Sequence, residues 1–314
     1  MANYSFLQFT PAYLRVLVAA VWIPGAAFWM YFAAAVLLAI GLPIILKNEV
    51  PNARGLDKIL PFGRLFYAIP MAVFGTEHFC FPEEIGGMVP SWIPARPFWV
   101  YLVGLALIAA ALSIVVKRQA WLAATLLGIM LCLFVVLISA PAVVANPRDR
   151  FAWAVSLRDL AFGGGAFAFA GAQTKARPAT GVPALVTLGR FFVGVPAVFF
   201  GVEHFLHPEF APGVPLPMVT PTWIPVRLLW AYLAGALLLA AGFLLVTVNK
   251  KARLATTYLG IMILLLVLVV YLPILISDPK SIAIGLNYFF DTLAFSGAIF
   301  LLADALPKGS DSHA

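Results

Sequence analysis

Polar residues in this chain fall into short clusters, and the apolar stretches between them have the length a bilayer demands. A spanning helix needs about 20 mostly apolar residues. The first such stretch is 26–46, followed by a polar loop that holds Lys47, Arg54 and Lys58. Four more follow near 62–80, 97–116, 119–145 and 151–172. A polar linker from Gln173 to Gly181 carries Lys175, Arg177 and Pro178. Beyond it lie stretches near 185–206, 227–248, 252–276 and 282–304. The run at 12–22 is too short to span and reads as interfacial or packed on the bundle. The pattern predicts an all-α polytopic transmembrane bundle of about nine spans.

The spans repeat. Gly75-Thr76-Glu77-His78-Phe79, with Trp92-Ile93-Pro94 after it, returns as Gly201-Val202-Glu203-His204-Phe205 with Trp223-Ile224-Pro225. Gly63-Arg64 matches Gly189-Arg190, and Pro70 matches Pro196. Arg96, Trp99, Tyr101 and Gly104 match Arg227, Trp230, Tyr232 and Gly235. Pro141, Asp159 and Gly165 match Pro273, Asp291 and Gly297. Trp22-Ile23-Pro24 with Phe28-Trp29-Met30-Tyr31 reads as a truncated third copy. The implied division is an N-terminal partial repeat (1–60) with one span, four-helix repeats over 61–174 and 182–306, and a disordered tail (307–314). Four is an even number, so both repeats should insert in the same orientation, related by a pseudo-two-fold along the membrane normal.

Composition supports the same class: 63% of residues are hydrophobic and only 11% charged. The net charge of +7 sits in short loops, which argues for positive-inside topology and against a nucleic-acid partner. One side gathers Lys47, Arg54, Lys58, Lys117, Arg118, Lys250, Lys251 and Arg253. The other holds Arg96, Arg148, Arg150, Arg227 and Lys280 with Glu83, Glu84 and Glu209. The expected location is the cytoplasmic membrane, with the C-terminus cytoplasmic and both Glu-His motifs on the non-cytoplasmic side. Cys80 and Cys132 belong to no CxxC motif and read as apolar thiols.

The four-span unit, opened by Gly-Arg, closed by Gly-x-Glu-His-Phe and followed by Trp-Ile-Pro, resembles the DoxX-like membrane proteins. The resemblance covers roughly residues 60–306 as two fused units. It implies a membrane protein linked in some relatives to thiosulfate:quinone oxidoreduction or to a membrane redox complex, with quinone as the cofactor to expect. Most of the family are single units, so the fusion departs from its pattern.

Ionisable groups inside a membrane helix are costly and usually face a bundle interior. The candidates are Glu77, His78, Arg96 and Asp159, repeated as Glu203, His204, Arg227 and Asp291. The expectation is one acid–histidine–arginine cluster per repeat, binding a ligand or relaying protons; the alternative is that the pairs only tie helix ends together. Asp159 should lie about 12 Å below the start of its helix. Arg158 aligns with Phe290 and so falls outside the shared set. Nothing in the sequence places the two histidines for a metal or haem. Trp92, Trp99, Trp223 and Trp230 read as an interfacial aromatic belt, or alternatively as a pocket for a quinone ring. Gly163-Gly164-Gly165 reads as a site of close helix approach. The function expected is a quinone-interacting subunit of a membrane redox complex; the alternatives are a small-solute transporter and a non-catalytic scaffold that binds lipid.

Overall fold

The computed structural model describes residues 25–173 and 183–308. Trp22-Ile23-Pro24, the run at 12–22, most of the polar linker and the tail from residue 309 lie outside the described residues. Among the described residues there are ten helices: α1 (Ala26–Asn48), α2 (Gly63–Cys80), the short α3 (Pro82–Met88), α4 (Arg96–Val116) and α5 (Ala120–Ala145). They continue as α6 (Arg150–Gln173), α7 (Ala184–Leu206), α8 (Arg227–Val246), α9 (Ala252–Ser277) and α10 (Ile282–Ala305). Among the described residues there is no β-strand beyond one isolated bridge, Phe210 with Val219.

Eight helices are long and apolar enough to cross a membrane; α6 is not among them. Its 24 residues suffice in length, but Arg150, Arg158, Asp159 and four glycines dilute its apolar content. That composition is tolerable because α6 is enclosed, packing on α5, α7 and α10. Among the described residues eight helices meet that composition, and α6 is the ninth long helix of the bundle that the sequence pattern predicts.

The repeats pack into a ring in which α6 and α10 form a shared central pair. Each repeat's first helix lies on the other repeat's last: α2 on α10, and α7 on α6. Arg158 meets Asp291 and Gly165 meets Ala298, so both contacts advance seven residues in the same sense along each helix. The central pair is therefore parallel, which makes the two repeats co-oriented. By contrast, Gly63 abuts Phe300 while Glu77 reaches Asn287, so α2 runs antiparallel to α10. The third copy adds α1, packed on α2 and α4. Its Phe28–Trp29 rings adopt the same edge-on arrangement as Phe98–Trp99, at 5.3 and 5.4 Å.

Glycine sets how near these helices come. A Cβ on Gly163 would lie 3.4 Å from the Gly128 carbonyl in α5, one on Gly164 would lie 2.8 Å from Phe192 in α7, and one on Gly165 would lie 2.5 Å from the Ala298 Cβ in α10. Successive helical residues turn about 100°, so three consecutive glycines serve three neighbours. In α5 and α9 the turns Val135–Ser139 and Val267–Tyr271 widen to π spacing just before Pro141 and Pro273. A proline has no N–H for the carbonyl four residues back, and the wider turn absorbs that gap.

At the ends remote from the Glu-His motifs, arginines cap helix C-termini. Arg64 donates to the Val115 carbonyl, Arg190 to Leu245, and Arg253 to Ala303 and Leu306. These caps complement the partial negative charge of a helix C-terminus. Glu49 joins Arg64 to Lys117, and Asp57 joins Arg253 to Lys308.

Gly165→Leu should cost more than about 3 kcal/mol and deplete folded protein, because the α6–α10 contact has no room for a side chain. Gly87→Ala, where an added Cβ meets nothing within 4 Å, should leave the yield and unfolding midpoint in detergent unchanged.

Candidate functional site

Glu77 and His78 end α2, and the 100° step between neighbours sends them to different helices. Glu77 turns towards α10, where it accepts a hydrogen bond from Asn287 Nδ2 at 3.2 Å. His78 packs towards α4, close enough that a Cβ on Gly104 would lie 2.8 Å from its own. His78 Nδ1 donates to the Phe74 carbonyl one turn back, at 2.8 Å. The second repeat copies this layout: His204 faces Gly235, and its Nδ1 donates to Phe200 at 2.6 Å. The two histidines, on α2 and α7, thus face outward onto α4 and α8 rather than towards the central pair of α6 and α10.

The charged centre lies on that axis. Arg158 in α6 bonds Asp159 beside it at 3.0 Å and Asp291 in α10 at 2.9 Å. Aspartates that the repeat places in separate clusters are thereby joined by one guanidinium. Arg158 begins eight residues into α6, about 12 Å from the helix start at 1.5 Å per residue. Asp291 is buried, while Arg158, Asp159, Glu77 and Asn287 are half-buried. The arginine side chain retains 21% exposure. Glu77 lies within electrostatic range of both Asp291 and Arg158. Three carboxyls against one guanidinium leave a formal charge of −2, which a low-dielectric interior does not hold without protons or a cation.

The second half has its own pairing. Arg150, the first residue of α6, binds Glu203 and donates to the Pro215 carbonyl at 2.7 Å. Its guanidinium also stacks 4.0 Å from the centre of the Phe210 ring. Pro215 belongs to a loop whose residues 211–216 are all buried. The Gly213 N–H donates to His204 Nε2 at 3.0 Å, and the Tyr271 hydroxyl donates to the Pro212 carbonyl at 2.9 Å. His204 is therefore the Nδ1–H tautomer, anchored by Nδ1 to its own helix and holding with Nε2 a loop that plugs its half of the bundle. In the first half, by contrast, no residue from 81 to 99 is buried.

Two expected members of the site are not in it. Arg96 is half-buried and Arg227 exposed, and neither makes an ion pair or side-chain hydrogen bond among the described residues. Each opens its helix just after a residue in the left-handed region, Ala95 or Val226, which turns the arginine outward. Their places are taken by Arg158 and Arg150. Aligning Arg158 with Phe290 pointed away from it, yet a residue near a two-fold axis serves both copies without needing a repeat. Its signal was direct adjacency to Asp159 inside an apolar span. Asn287 and the plugging loop carried no sequence signal, since both lie where the repeats diverge.

The Trp-Ile-Pro units build turns. Trp99 Nε1 donates to the Pro94 carbonyl at 3.1 Å, and Trp230 Nε1 donates to Pro225 at the same distance. Trp92 and Trp223 are exposed, as an interfacial belt requires. A groove of about 490 Å³ between α8 and α9, lined by Trp230, Leu237, Tyr258, Met262 and Leu265, is apolar and shares no residue with the charged cluster.

A family model described as a domain of unknown function (DUF8561) matches residues 67–162, from within α2 through Arg158 and Asp159 of α6. No curated protein and no solved structure matches the chain.

Removing Arg158 strands two aspartates. Arg158→Met should destabilise the protein by about 3–5 kcal/mol, the usual cost of deleting one partner of a buried pair. Arg96→Met should stay within about 0.5 kcal/mol of the parent. Parallel denaturation curves in one detergent check both.

Proposed function

We propose that this chain is a DoxX-like, multi-pass protein of the cytoplasmic membrane that serves as a quinone-interacting subunit of a membrane redox complex. Its own contribution is proton exchange at the Arg158–Asp159–Asp291 cluster, while a partner or bound cofactor carries electrons. The observation that carries the reading is the single guanidinium shared by aspartates of both repeats, with Glu77 in range. A buried cluster short of positive charge favours uptake of protons by its carboxyls. The chain has no CxxC motif and, among the described residues, no group of metal-binding side chains. Electrons are accordingly assigned elsewhere in the complex. The apolar groove beside Trp230 is of a size to take part of an isoprenoid chain. The balance of basic loops favours a cytoplasmic C-terminus, which opens the cluster to the non-cytoplasmic side.

One observation favours a second reading, a proton-coupled transporter of a small solute. The charged groups lie at the contact between two co-oriented repeats, where parallel-repeat transporters hold their substrates.

Protein purified gently from native membranes should contain quinone above the level of the co-purifying lipid. The double variant Asp159→Asn, Asp291→Asn should lose it. Quinone at background in the parent protein sinks the redox reading. Proton-driven solute uptake in vesicles, abolished by the same double variant, installs the transporter in its place.

A further inference from the structure

The two halves make the same demands and meet them differently. In the second half, His204 Nε2 needs a donor and receives the Gly213 N–H of the plugging loop. Glu203 needs a cation and receives Arg150. In the first half, His78 has the same tautomer, fixed by the same bond to its own helix, so its Nε2 is an acceptor. No donor meets it among the described residues, and no part of the 81–99 loop enters the bundle to supply one. Glu77 receives only an uncharged amide, because the repeat position of Arg150 is Ile282. The Oδ1 atom of that amide, in Asn287, is buried with no partner.

We infer that the first half binds a small organic cation bearing N–H donors, seated on Glu77 and Asn287 Oδ1, with His78 Nε2 the further acceptor at the same helix end. Such a ligand supplies from outside what Arg150 and Gly213 supply from within in the second half. All three unfilled valences are acceptors, so a ligand carrying only carbonyl oxygens finds no counterpart. The adjoining cluster of Arg158 with two aspartates adds negative charge that favours a cation. N–H donors on a cation form the stronger, charge-assisted type of hydrogen bond with a carboxylate. Tyr271, which tethers the plug in the second half, is replaced at its first-half repeat position by Ser139, whose hydroxyl bonds back to Val135 in its own helix. The first half thus lacks the tether as well as the plug.

The site requires no electron transfer, so its test is separate from quinone content. The probe is n-butylammonium, added to the full-length protein in nanodiscs and read as a shift in the unfolding midpoint, since a ligand that binds only the folded state stabilises it. The midpoint should rise and saturate, with half-saturation on the order of millimolar. Butyltrimethylammonium, a cation of similar length without N–H donors, should give no shift, and neither should neutral n-butanol. Glu77→Gln preserves the contact to Asn287 and should weaken butylammonium at least about tenfold. Ile282→Arg should supply the guanidinium internally and abolish the response. An equal shift from the quaternary ammonium, no shift from any probe, or a butylammonium shift unchanged in both variants overturns the site.

Discussion

One guanidinium binds two aspartates at the centre of this fold, and the parallel packing of α6 and α10 follows from what that arrangement needs. Arg158 and Asp291 meet at one level; seven residues on, Gly165 and Ala298 meet at the next. Parallel neighbours bring two helix N-termini to the same face, and their partial positive charges oppose close approach. That field fades within the first turn. It therefore does little for carboxyls placed more than two turns into α6 and α10, and their neutralisation falls to Arg158 itself. Breaking a desolvated pair costs several kcal/mol, whereas an exposed pair is worth under about one. The central pair is consequently fixed by the charge contact on one level and by the absence of side-chain bulk on the next.

The architecture was legible because it rests on composition and repetition. The span limits near 62–80, 97–116 and 227–248 fall within a residue or two of α2, α4 and α8. Those limits depend on where polar residues interrupt apolar runs, a local property. The site was legible in its acids and misread in its bases. Glu77, Asp159, Glu203 and Asp291 all have partners, but the partners are Asn287, Arg158 and Arg150. Arg96 and Arg227 were expected because they recur, and recurrence tracks whatever both halves need. At these two positions the shared element is the turn into the helix, where Ala95 and Val226 hold the left-handed conformation.

The histidines show the same limit more sharply. A histidine in a membrane helix suggests a titrating group, since its ordinary range spans neutral pH. Here each ring donates Nδ1–H to a carbonyl of its own helix, which fixes the tautomer before any ligand is considered. The carbonyl one turn back carries a second lone pair beside the one its helical N–H faces, and the ring takes it. What differs between the copies is the remaining nitrogen, and nothing at the motif itself predicts that difference. It depends on the loops 81–95 and 207–226, which share their Trp-Ile-Pro ends but differ in length and in the residues before them.

Duplication explains why the loops could diverge without loss of the fold. Each half contributes one long helix to the central pair and lays its first helix on the other half, so either half alone would expose the faces that the other covers. The core is therefore a joint property, and neither copy can drift far within it. The motif ends are not joint. Each is closed, or left unclosed, by its own connecting segment, and sealing one costs the other nothing. In the second half the seal is complete, with a buried loop, a tyrosine tether and a cation on the glutamate. Burying six loop residues requires satisfying their backbone groups. Tyr271, His204 and Arg150 do so at Pro212, Gly213 and Pro215, while Ala211 bonds Met218 within the loop. Three side chains from α9, α7 and α6 committed to one loop make that half rigid. The first half, with Ser139 and Ile282 at the positions of Tyr271 and Arg150, keeps its glutamate and histidine in the same geometry on a helix end that no loop among the described residues closes. A rigid half beside a half with unfilled acceptors gives the molecule one working face out of two symmetric ones.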